Sequence, residues 1–172
     1  MTERLNILIA IHGHEPEGWA DEVRVALTPN PDAVIRVLVL DEPAPAGFTS
    51  LLPAARRRYA GAVRLARALA AENRQRRLDA LLSRLPARPE VVHTACAGDE
   101  GRTIATHAGA WPAHIVVVGR DARTPLPRWL VAAIHERIVR EAPCAVIVAA
   151  PAPRRSARPG RGLDPAVTAL PR

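Results

Sequence analysis

Three groups of residues in this chain have the types and spacing for chemistry. His12-Gly13-His14 closes the apolar run Leu5–Ile11. Side chains alternate along a strand, so two histidines flanking one glycine share a face. They make half of a tetrahedral zinc site, but no third or fourth ligand stands at a recognisable spacing. They are read as polar groups of a ligand cleft or of the surface. The second group starts at Gly119, where the run Ile115–Val118 ends, and Arg120, Arg123 and Arg128 surround the loop that follows with positive charge. Such a loop invites a phosphate. The third, Gly98-Asp99-Glu100-Gly101, reads as a turn whose acids complement the positive end of a helix. No Ser-His-Asp or Cys-His arrangement is readable. His93 and Cys96 lie three apart in a strand and so on opposite faces. No residue is assigned a catalytic role.

Composition removes further classes. All 24 basic residues are arginine. Without lysine there is neither a Schiff-base enzyme nor a Walker A phosphate loop. The net charge of +7 is concentrated: residues 151–172 hold five Arg against one Asp, and residues 53–85 hold nine Arg against Glu72 and Asp79. The basicity therefore belongs to a tail and one helix. Aromatic residues are 3% of the chain, too few for base-stacking platforms, which argues against nucleic acid as a partner. No 18-residue apolar run offers a membrane span. The segment MTERLNILIA lacks a signal peptide's basic region and cleavage site, so the expected location is cytoplasmic. Cys96 and Cys144 stand in apolar contexts and read as buried free thiols.

The elements that must position these groups follow from periodicity. Strands are expected over Leu5–Ile11, Ala33–Leu40, Glu90–Cys96, Ile115–Val118 and Cys144–Ala149. Helices are expected from about Pro16 to Leu27, with Trp19, Val23 and Leu27 as a stripe, and from Pro53 to about Leu85, with Leu78, Leu81, Leu82 and Leu85 on one face. Two more run over Asp99–Ala110 and Pro127–Glu141. Residues 1–150 form one domain, and the Pro/Arg-rich 151–172 reads as a disordered tail. Alternating strands and helices, with mostly continuous apolar strands, specify an α/β fold: an open, doubly wound, five-stranded parallel sheet. Ligands in such sheets sit beyond the strands' carboxyl ends, here His12–His14, Val39–Asp41 and Gly119–Ala133.

This order of elements, the IVVVG strand end, its loop and the closing ERIVREAPCAVIV resemble the universal stress protein family over residues 4–150. The resemblance implies a Rossmann-like fold of the adenine nucleotide alpha hydrolase kind, a homodimer and a non-catalytic regulatory or stress-tolerance role with a protein partner. Nucleotide-binding members carry Gly, two residues, Gly, nine residues, then Gly and Ser or Thr. Here Gly119 matches the first position, and the others fall on Ala122, Ala132 and Ala133. The family's aspartate at the end of the first strand falls on His12, beside Gly13, and its adenine-contacting position on Val39, where only the backbone matters. Alanine resists the positive φ and close approach that glycine permits. Ala133 has no hydroxyl for a phosphate, and Pro125 and Pro127 remove two amide donors. These departures imply no tight ATP binding and no resident cofactor or metal. The alternative is an adenine-nucleotide sensor or very slow ATPase in which Arg120 and Arg123 contact phosphate. Strand 144–149, followed by Pro151, is the expected dimer edge.

Overall fold

The computed structural model describes residues 4–41, 53–96, 99–120 and 138–149, with side chains of residues 53–58 left aside. Five strands, β1 (Asn6–Ile11), β2 (Val34–Asp41), β3 (Glu90–Ala95), β4 (Ile115–Gly119) and β5 (Ala145–Ala149), form one sheet in the order β3-β2-β1-β4-β5. All four pairings are parallel. The chain winds outward from β1 to β2 and β3, then returns to the other side of β1 for β4 and β5. The topological switch point therefore lies between β1 and β4, as the sequence reading of a doubly wound sheet requires.

Period-two alternation divides the core into two layers. Ile7, Ile9 and Ile11 of β1, with Val37, Val39 and Val117, face one side and pack with Trp19, Val23, Leu27, Leu78 and Leu81. These last residues come from α1 (Trp19–Leu27) and α2 (Pro53–Leu82). Leu8 and Ala10 turn to the opposite face with Leu38, Leu40, Val116 and Val118, against Ile104 and Ala108 of α3 (Glu100–Ala110) and against Ile138. Only strands covered on both faces need so unbroken an apolar run. Edge strand β3 instead has only exposed and half-buried positions.

Strand ends shift by one residue from the periodicity, and three helix boundaries differ for identifiable reasons. Helix α1 begins at Trp19 rather than Pro16, because Gly18 adopts φ 83° at its N-cap and ends the preceding turn. Helix α2 stops at Leu82, where the Arg84 N–H reaches the Leu81 carbonyl in a tighter turn ahead of Pro86. Asp99 is the N-cap of α3 rather than part of its first turn, and its side chain accepts from the Arg102 N–H at 3.1 Å. The expected helix Pro127–Glu141 falls within the description only at residues 138–141, which are helical. The proposed tail lies outside the described residues. Cys96 is a buried free thiol, while Cys144 is free but only half-buried, and burial still pushes its thiol up. No helix among the described residues is long and apolar enough to cross a membrane.

Candidate functional site

The carboxyl ends of β1, β2 and β4 set the site. Register places Ile11 beside Val39, and Asp41 at the end of β2 beside Ala95 of β3. His12 and Gly13 follow β1 directly, and Gly119 is the last residue of β4. Of the residues singled out in the sequence, His12, Gly13 and Gly119 come together at the switch point. Val39 is buried in the core beside them, with 1% exposure. Arg120 is exposed, and its backbone N–H donates to the Ala149 carbonyl at 3.1 Å. Ala122, Arg123, Ala132 and Ala133 lie outside the described residues.

The centre of the site is a residue that spacing did not single out. Glu15 has 0% exposure. Its Oε1 accepts the His12 N–H at 2.7 Å, and its Oε2 accepts the Gly13 N–H at 3.0 Å. Gly13 has φ 88°, and this left-handed turn brings the two consecutive amides round to one carboxyl group. The same side chain lies over Gly119. A Cβ built on Gly119 would stand 2.3 Å from Glu15 Cγ and 3.1 Å from its Cβ. The glycine is thus required by Glu15 itself, a close approach internal to the chain. The sequence signal was the acid two residues beyond a turn-forming glycine, which ordinarily reads as a surface residue.

His12 completes the seal. Its Nδ1 accepts the His14 N–H at 3.1 Å, which assigns the ring proton to Nε2, 3.4 Å from the Gly119 carbonyl. In that tautomer the 3.5 Å approach of Nδ1 to Glu15 Oε1 is not an ion pair. His12 and His14 stack with ring centroids 5.8 Å apart, but β1 ends at Ile11 and it is the left-handed turn at Gly13, not strand alternation, that brings the rings together. No group of three or more metal-ligating side chains occurs among the described residues.

On the β2 side, Arg74 of α2 closes over Gly13. A Cβ at Gly13 would meet Arg74 Cγ at 2.5 Å. The guanidinium Nε lies 3.2 Å from Asp41 Oδ1, and His93 Nδ1 lies 3.6 Å from Oδ2 of the same carboxylate. Arg74 Nη1 is buried without a hydrogen-bond partner. Asp41 ends the segment Val39–Asp41 expected at the ligand end of the sheet, but Arg74 was not anticipated, because nothing in the Arg-rich stretch separates an arginine that turns inward from its solvated neighbours. The crevice is therefore occupied by the chain's own side chains on both sides of β1, Glu15 toward β4 and Arg74 toward β2. A groove of about 550 Å³, lined by Leu5, Pro29, Asn30 and Ala33, opens at the amino ends of β1 and β2, the end of the sheet away from these groups.

Comparison with known proteins sets this geometry in context. Residues 3–150 match the model of the Universal stress protein family. The universal stress protein UspA from Lactobacillus plantarum is similar in structure at 20% identity and TM-score 0.56, covering 86% of this chain and 99% of that one. The universal stress protein from Archaeoglobus fulgidus in complex with dAMP is similar at 13% identity and TM-score 0.51, covering 86% and 98%. At these identities the likeness is one of fold. A sequence search of curated proteins returns no match.

Proposed function

Since this chain belongs to the universal stress protein family, we propose that it is a non-catalytic stress-response module that acts through protein contacts and does not hold ATP tightly. The observation that carries this reading is Glu15. A buried carboxyl group bonded to the His12 and Gly13 amides and packed on Gly119 fills the switch-point crevice where an anionic ligand would enter. A phosphate arriving there meets a side chain of its own sign in a poorly solvated setting, where like-charge contact is costly. The replacement of three motif positions by Ala122, Ala132 and Ala133 supports the same conclusion from sequence. Assembly as a homodimer through β5 and residence in the cytoplasm belong to this proposal. Among the described residues β5 pairs only with β4, and it leaves Val148 40% exposed.

Calorimetry of the full chain with ATP and magnesium, with mass spectrometry of copurifying small molecules, tests the proposal. The expected result is no binding in the micromolar range and no copurified nucleotide. Binding there would instead support a nucleotide-linked sensor, the reading favoured by retention of Gly119 and by the dAMP complex of the Archaeoglobus relative. Restoring glycine at positions 122 and 132 and serine at 133 is expected to leave ATP binding weak while Glu15 stays in place.

A further inference from the structure

We infer that the amides of His12 and Gly13 form an oxyanion cradle which the chain fills with its own Glu15, and that a phosphate group is the ligand class this cradle admits when Glu15 is displaced. The inference rests on the reading above, that the crevice is closed to tight ATP binding, and adds how it is closed and to what it opens.

Four observations carry it. The two oxygens of one carboxyl group take one amide each, at 2.7 and 3.0 Å, from two consecutive residues. That is the arrangement in which successive backbone N–H groups bind anions. Second, among the described residues no side-chain cation offsets the buried acid. His12 Nδ1 is already an acceptor for the His14 amide, so the backbone dipoles hold the carboxyl group. A site that holds an acid by amides alone holds oxyanions in general, because it reads two oxygens and a negative charge. Third, Glu15 is not needed as a helix cap: the N-cap of α1 is Gly18, with no side-chain capping bond. Fourth, the cradle lies at the switch point between His12 and Gly119, where open α/β sheets receive ligands. Arg74 packs against Gly13 from the β2 side, with one buried N–H that lacks an acceptor. Its charge is shared with Asp41, 3.2 Å from Nε, so what it adds beside the cradle is a hydrogen-bond donor rather than a free charge.

The test is thermal unfolding of the full-length wild type, Glu15→Ala and Glu15→Gln in sodium phosphate, sodium formate and sodium chloride at matched ionic strength. The Ala variant exposes the amides and leaves room. Phosphate at about ten times its dissociation constant is expected to raise the melting temperature of that variant by about 3–6 °C more than chloride does, with saturation. The Gln variant fills the same space and is expected to respond no more than wild type. A folded Glu15→Ala protein that responds to phosphate no more than to chloride overturns the inference, and a response to formate alone overturns the assignment to phosphate. If the Ala variant does not fold, amide resonances of Glu15→Ser, which also frees both amides, decide. Saturable shifts of His12 and Gly13 with rising phosphate are expected in that variant and not in the wild type, and their absence from the variant overturns the cradle. The two readings fail separately. Tight ATP binding by wild type removes the proposed function, whereas weak wild-type binding with an insensitive variant removes only the cradle.

Discussion

Gly119 meets a demand that its residue type alone does not reveal. Its identity suits a phosphate loop, yet its missing Cβ is what lets Glu15 lie across the end of β4. The neighbour is the inner part of a side chain whose carboxyl is pinned by two amides, so it cannot swing away cheaply. Gly119→Ala is expected to destabilise the fold by about 1–3 kcal/mol, an overpacking cost. Truncating Glu15 as well should recover much of that loss, so a double-mutant cycle in urea should show coupling of about 0.5–3 kcal/mol. Additive losses would mean that the two residues do not press on each other. The sequence made His12, Gly13 and Gly119 legible because strand ends are readable and glycine punctuates them. It did not make Glu15 or Arg74 legible. A charged residue in a loop or an Arg-rich helix reads as solvated unless the fold is known to turn it inward.

Among the elements, α2 carries the widest contrast. Its carboxyl-terminal part buries Leu78 and Leu81 against the isoleucines of β1, while Leu65 and Leu69, earlier in the same helix, stand 62% and 51% exposed. The leucine stripe at Leu78, Leu81, Leu82 and Leu85 was visible as periodicity, and Leu82 and Leu85 do pack against the core at its margin. The exposure of Leu65 and Leu69 was not visible, because helical spacing fixes which residues share a face and not whether a partner lies beneath it. Leu81→Ala is therefore expected to cost about 2–5 kcal/mol, whereas Leu65→Ala should stay within about 0.5 kcal/mol. Chemical denaturation of both variants checks the difference. Equal losses would place a packed surface under the amino-terminal part of the helix. The boundary differences at α1 and α2 have equally local causes, a left-handed Gly18 and a tight turn before Pro86, and neither moves a residue of the site.

For the whole molecule, the sheet order has one consequence for assembly. The strands at the two edges are unlike in composition: β3 carries Glu90, His93 and Thr94, while β5 is a run of Ala, Val and Ile with Val148 exposed. An apolar edge of unpaired backbone groups is the one expected to take a twofold mate. Light scattering of the wild type at micromolar concentration is expected to give the mass of two chains, and Val148→Glu, which sets like charges against each other across such an axis, to shift it toward one. A monomeric wild type removes the homodimer. The fold class was readable at this scale because alternation of elements and continuity of apolar runs are properties of the whole chain. The identity of a protein partner is not encoded in either.

The two-layer core also gives the molecule an optical asymmetry. Trp19 is fully buried in the layer of α1 and α2, and its ring lies 3.5 Å from where a Cβ on Gly119 would stand. Trp111 borders the opposite layer, beneath the Arg36 guanidinium at 4.5 Å from its ring. One indole therefore borders the crevice, and another sits across the sheet from it. Displacement of Glu15 would admit water beside Trp19 and redden its emission, a shift that should vanish in Trp19→Phe, where only Trp111 and Trp129 emit. The chain carries a native fluorophore at the point where its occupancy would change.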